Sequence, residues 1–170
     1  SLLAEGMSPK KLKVLFISNS RRQVFLFSQL LGEPVTWDYH VILLYTTRSH
    51  EHWIFDFDSK LEFPVLFAEY ATKTFPMPIY LEKWHRIFFR AIPILSYHSQ
   101  FHSDRSHMLD ENGSPLHPFP PYPAIEIADE FSKIPLRDYA DMRKKLNDGS
   151  SVYSYERFIK KLGFELGNIS

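Results

Sequence analysis

Between Val35 and Asp58 two runs rich in β-branched and aromatic residues, V-T-W-D-Y-H-V-I-L-L-Y and W-I-F-D-F-D, flank a polar T-T-R-S-H-E break. This is the pattern of two antiparallel strands joined by a short loop. With Arg48 at the tip, His40 falls opposite Asp56, on one face, with Cβ atoms roughly 4.5–5.5 Å apart. A slip of one residue would send the two side chains to opposite faces. Ile42, Leu44 and Ile54 share the His40 face, while Val41, Leu43, Tyr45, Trp53, Phe55 and Phe57 share the other. Strands apolar on both faces are covered on both, so His40 and Asp56 are predicted at the far end of largely buried strands. Burying two ionisable groups costs several kcal/mol unless they pair. The pattern therefore predicts a His–Asp pair, of either structural or catalytic use.

The remaining periodicity is read in chain order. Lys11–Ser18 and Gln23–Gln29 predict two strands around an N-S-R-R turn, and Leu31–Pro34 a loop before the central hairpin. Phe63, Leu66, Phe67 and Tyr70 form an i, i+3, i+4, i+7 stripe with Pro64 in the first turn, which predicts a helix ending near Thr74 with core aromatics. F-P-M-P at 75–78 breaks the chain. Arg86–Ile92 reads as a strand, Leu95–Phe101 as a short helix and Leu136–Leu146 as another. Ser154–Gly163 is a helix with Ser154 as N-cap, Glu156 in the first turn, Tyr155, Phe158, Ile159 and Leu162 on one face, and Gly163 as the stop. Ser1–Gly6 reads either as the last turns of a helix closed by glycine or as a remnant ahead of a start at Met7. Asp110–Pro123, with five prolines and an Asn112-Gly113 turn, reads as a stiff covering loop.

Composition narrows the function classes. Lys+Arg and Asp+Glu both number 20 in 170 residues, so no net field favours nucleic acid or an anionic membrane. No apolar run approaches the roughly 18 residues of a membrane span, and no signal-peptide pattern opens the chain. The length suits one domain, 1–170, with a core heavy in its 15 Phe and 9 Tyr. With no cysteine, the chain itself carries no disulfide and no thiolate ligand. A second chemistry stays open: His98, His102 and His107, with Asp104 between, have an H-x3-H-x4-H spacing that could ligate zinc, although no H-E-x-x-H is present. Ser103–Met108 is compact and polar, and its Asp104–Arg105 neighbourhood with two serines can hydrogen-bond loop backbone or a polar ligand.

W-D-Y-H-V at 37–41, D-F-D at 56–58 followed by L-E-F-P, S-D-R-S-H-M at 103–108 and P-P-Y-P at 120–123 stand in one order. Together they resemble the protein N-terminal glutamine amidohydrolases, from about Val14 to Gly163. The resemblance implies an α+β fold of the papain-like or transglutaminase-like kind, a central antiparallel sheet flanked by helices. It also implies deamidation of N-terminal Gln to Glu with release of ammonia, as a first step of N-degron degradation, by a Cys-His-Asp triad. His40 is then the histidine and Asp56 the acid, with no metal or cofactor. Trp37, Asp38, Tyr39, Ser103 and Asp104 are expected to line the substrate site. Strand alternation puts Asp38 on the His40 face, as a partner for a free α-ammonium, and turns Trp37 and Tyr39 toward the core. The family's cysteine would fall before Ser1, so the chain reads as an N-terminally truncated and inactive form. The resemblance also implies a cytoplasmic and nuclear monomer whose partners are proteins and peptides that begin with Gln. A non-catalytic module that binds Gln-terminated peptides remains the alternative.

Overall fold

A six-stranded antiparallel sheet forms the centre of the computed structural model, which describes residues 7–75, 85–102, 112, 114 and 133–165. Its strands are β1 (Leu12–Ser18), β4 (His40–Thr46), β5 (His52–Phe55), β6 (Val65–Leu66), β7 (Phe88–Pro93) and β10 (Ser151–Ser154), in the order β10-β7-β1-β4-β5-β6. Two small pairs accompany it: β2 (Val24–Leu26) with β3 (Val35–Trp37), and β8 (Phe101–His102) with β9 (Ile134–Pro135). Four helices, α1 (Phe67–Thr74), α2 (Ile94–Gln100), α3 (Leu136–Ala140) and α4 (Tyr155–Lys161), complete the α+β architecture. None of the described helices is long and apolar enough to cross a membrane.

The two apolar faces predicted for the central strands each have a core. One cluster joins Leu15, Ile17, Ile42, Leu44 and Ile54 to α1 through Phe67, Tyr70 and Ala71, and to α4 through Tyr155, Phe158 and Ile159. The other joins Val14, Phe16 and Ile92 to α3 through Tyr139, with Tyr97 of α2 packed against it. Each fully buried Leu, Ile or Phe side chain contributes about 1.5–3 kcal/mol. Stacked rings such as Phe89 on Phe158, 4.5 Å between centroids, add to that.

Several predicted boundaries move, each for a local reason. The Gln23–Gln29 strand shortens to Val24–Leu26 between the left-handed Arg22 and Ser28, both at φ 54°. The single strand predicted from Val35 divides into β3 and β4 at Asp38–Tyr39. There the Asp38 carboxylate accepts from the N–H of Tyr39 at 2.9 Å, an alternative to ladder pairing. The first helix begins at Phe67, because Val65 and Leu66 pair with Ile54 and Trp53 at the edge of the sheet. The buried stripe is consequently Phe67, Tyr70, Ala71 and Thr74, while Phe63 and Leu66 are exposed. The Leu136–Leu146 helix ends at Ala140, since the carbonyls of Tyr139, Asp141 and Lys144 turn to the buried guanidinium of Arg90. The last helix forms as the pattern predicts: Ser154 Oγ accepts from Arg157 N–H at 3.4 Å, and Gly163 adopts φ 85°.

The predictions for Ser1–Gly6, for 76–78 within F-P-M-P, for Ser103–Met108 and for nearly all of Asp110–Pro123 lie outside the described residues.

Candidate active site

His40 enters from the first residue of β4, where its backbone pairs with Ile17 of β1. Asp56 follows the last residue of β5. The hairpin is centred one residue later than predicted: Thr46 pairs with His52 and Leu43 with Phe55, placing Ser49 rather than Arg48 at the midpoint. Each pair thereby shifts by two positions, and a shift of two preserves the face. His40 and Asp56 accordingly meet diagonally, Nε2 to Oδ1 at 3.0 Å. They are 3% and 5% exposed, so the contact is shielded from water and screened little by salt.

The carboxylate is engaged at both oxygens. Oδ1 also accepts from the N–H of Asp58 at 3.0 Å, which ends the strand alternation and sends Phe57 out to 75% exposure, off the apolar face predicted for it. Oδ2 accepts from the hydroxyl of Tyr70 on α1 at 2.8 Å. Burial pushes the Asp56 carboxyl up, but the His40 imidazole, the Asp58 N–H and the Tyr70 hydroxyl together hold it below its ordinary value. Burial and the nearby Asp56 charge push Tyr70 well above the usual phenol range, so it remains a donor. With Nε2 committed to a carboxylate, the imidazole carries its proton there and presents Nδ1 as a base.

Trp37 corrects the strand-alternation argument. Expected to point away from His40, its ring lies against the imidazole, 5.0 Å between centroids at 36°, and its indole N–H is buried with no partner among the described residues. The break at Asp38–Tyr39 removes the strict alternation that had separated the two rings. Tyr39 does turn to the other face, where it stacks on Phe16 at 5.9 Å. Asp38 is exposed, and its backbone carbonyl accepts from Ser18 Oγ at 2.8 Å. Ser103 and Asp104 lie outside the described residues, as does His107 of the candidate zinc spacing. His98 and His102 stand on α2 and β8.

Ligating atoms of His40, Asp56 and Asp58 lie within 4.8 Å of one another, a spacing that could hold a cation. Both Asp56 oxygens already accept hydrogen bonds, so a cation would have to displace them. A cavity of about 340 Å³, lined by residues including Asn19, Arg22, Arg86, Phe88 and Arg143, lies beyond the end of β1 and contains neither His40 nor Asp56. The buried dyad and that cavity are therefore separate features of the fold.

The helical stripe had assigned Tyr70 to the core without chemistry. A buried tyrosine hydroxyl usually finds a partner, although that of Tyr139 has none among the described residues, and this tendency was the available signal.

The family model described as N-terminal glutamine amidase matches residues 3–162. The human protein N-terminal glutamine amidohydrolase is 40% identical over 152 residues, covering 88% of this chain and 73% of its own length. The zebrafish (Danio rerio) protein of the same name is 37% identical over 154 residues, with 88% and 74% covered. That of Drosophila melanogaster is 36% identical over the same span and coverage.

Proposed function

The chain belongs to the N-terminal glutamine amidase family, and from that premise we propose that its dyad serves the deamidation of N-terminal Gln to Glu with release of ammonia. The observation that carries the reading is the buried 3.0 Å contact between His40 Nε2 and Asp56 Oδ1, which leaves Nδ1 as the reactive nitrogen. Histidine paired in this way with a carboxylate can both take and give a proton during acyl transfer.

The nucleophile in this reading is a cysteine outside the present chain, which has none. His40 Nδ1 takes the thiol proton, and the thiolate attacks the δ-carbonyl of the N-terminal Gln. The imidazolium then protonates the departing nitrogen, so ammonia leaves and a thioester remains. Nδ1 next deprotonates a water, which attacks the thioester, and collapse yields the Glu carboxylate and restores the thiol. Asp56 stays ionised throughout and holds the ring in place. Trp37 shields the dyad, and Asp38, exposed beside the break, receives the α-ammonium of the substrate. The family resemblance alone assigns Ser103 and Asp104 to peptide binding. The 170-residue chain alone performs no turnover. The physiological partners are Gln-initiated proteins met by a monomer in the cytoplasm and nucleus, where the reaction prepares an N-degron.

The test is ammonia release from Gln-, Glu- and Asn-initiated peptides by a form extended to include a cysteine, with and without His40→Ala. Release confined to Gln peptides and abolished by the substitution supports the proposal; turnover unaffected by His40→Ala refutes it. Calorimetric binding of Gln peptides by the extended form without ammonia release would establish the non-catalytic module instead.

A further inference from the structure

We infer that Tyr70 is a positioning residue of the dyad: its hydroxyl fixes the Asp56 carboxylate so that the carboxylate holds Nε2 of His40 and leaves Nδ1 toward the reacting group. The inference rests on the proposed function for its catalytic consequence. The geometry it describes exists in the chain as it stands.

The argument begins with what a carboxylate does when left alone. Asp56 hangs on two rotatable bonds just beyond the end of β5, where ladder pairing no longer restrains it. Three donors from three parts of the fold converge on it: His40 Nε2 from β4 and the Asp58 N–H on Oδ1, and Tyr70 from α1 on Oδ2. The first two share one oxygen, so they leave the other free to swing. Tyr70 is the donor that holds the second oxygen and thereby the carboxylate plane. A plane pinned at both ends gives the imidazole one orientation and one favoured tautomer.

Tyr70 is itself rigid. It is fully buried, its ring meets Phe75 edge-on at 5.9 Å, and α1 is seated by Phe67, Ala71 and Thr74. Packing alone would be satisfied by phenylalanine at this position. The additional oxygen points at Asp56, where an unpartnered hydroxyl or carboxylate oxygen would be strongly disfavoured.

The experiment compares the parent chain with Tyr70→Phe by ¹⁵N-histidine NMR, which reads the tautomer of His40 and needs no turnover. The parent is expected to show Nε2–H with a bare Nδ1, and the variant a second population protonated at Nδ1. In a cysteine-bearing form, Tyr70→Phe is expected to lower kcat about ten-fold with KM unchanged, on the scale seen when a partner that orients a metal-ligating imidazole is removed. p-Aminophenylalanine at position 70, which keeps a donor, should restore both readouts. An unchanged tautomer in the variant overturns the inference, whatever the fate of the proposed activity. Absence of ammonia release from the parent form counts against the activity alone, because the tautomer readout still decides the role of Tyr70. If Tyr70→Phe does not fold, p-fluorophenylalanine, which occupies the hydroxyl's space without donating, is read by the same two outcomes.

Discussion

His40 and Asp56 bond at 3.0 Å although their backbones stand two positions out of direct opposition in the hairpin. The side chains bridge the diagonal because β5 has ended at Phe55 and the turn that follows leans Asp56 back toward β4. The pair thus depends on where a strand stops as much as on how it pairs. The chemistry of the site rests on the direction of this one bond.

Asp56→Asn places an amide where a carboxylate holds Nε2. It removes the charge that stabilises imidazolium and favours the wrong tautomer. In a cysteine-bearing form, kcat for Gln-initiated peptides is expected to fall roughly 10²–10⁴-fold. Steady-state ammonia release checks this, and a loss under two-fold would remove Asp56 from the mechanism.

The same carboxylate sets a pH dependence of stability. Its folded pKa lies below its ordinary value. The stabilisation is therefore fully present above the unfolded value of about 3.9 and is lost as pH falls through the folded value. Urea midpoints measured from pH 6 down to pH 3 should decline below about pH 4, and Asp56→Asn should flatten that decline. A parent and variant with parallel slopes would contradict the assignment.

Trp37 covers the imidazole with a ring whose N–H is buried and has no partner among the described residues. An unsatisfied buried donor costs about 1–3 kcal/mol, so Trp37→Phe should be neutral or stabilising. Trp37→Ala removes the ring contacts as well and should cost about 2–3 kcal/mol, the ring being only half-buried. Chemical denaturation of the two variants separates these outcomes.

Arg90 is 1% exposed, and its guanidinium donates to the carbonyls of Tyr139, Asp141 and Lys144 and to Ser150 Oγ. Burial lowers its pKa, against the charges of Asp148 and Asp141. Arg90→Met leaves those buried carbonyls unpaired and removes the positive charge that acts on Asp148 through space, which should destabilise the fold by about 3–5 kcal/mol. The denaturant midpoint is the readout; a change below about 1 kcal/mol would mean that water replaces the guanidinium at little cost.

The last helix offers two quieter substitutions. Ser154→Ala removes the N-cap acceptor of Arg157 N–H and should cost about 1 kcal/mol. Gly163→Ala meets no atom of the described residues within 4 Å, but the backbone there sits at φ 85°, so the cost of about 1 kcal/mol is conformational. Thermal melting of each variant checks both values.

Elements whose signals are local were legible in the chain. β1, β7 and α4 lie close to where period and caps put them, because a strand apolar on both faces or a helix with Ser154 and Gly163 at its ends needs no distant partner to be recognised. The shared face of His40 and Asp56 was legible for the same reason: parity survives a two-residue shift in the turn. Less was legible at the ends of elements. α3 stops where Arg90 takes its carbonyls, and α1 starts late because Val65 and Leu66 complete the sheet edge. Those outcomes turn on hydrogen bonds between residues 49–54 positions apart at Arg90 and 11–13 apart at the sheet edge, which a window of immediate neighbours does not contain.

By itself the sequence determined the buried hairpin and the common face of the histidine and the acid, since alternation and burial follow from side-chain type along the backbone, while the α+β class came with the family resemblance. Only the tertiary structure decided that the Tyr70 hydroxyl holds the second oxygen of Asp56 and that Trp37 lies on the imidazole. Both depend on the angle at which a helix or a broken strand meets the sheet, and that angle is set by packing across the whole core rather than by any local run of residues.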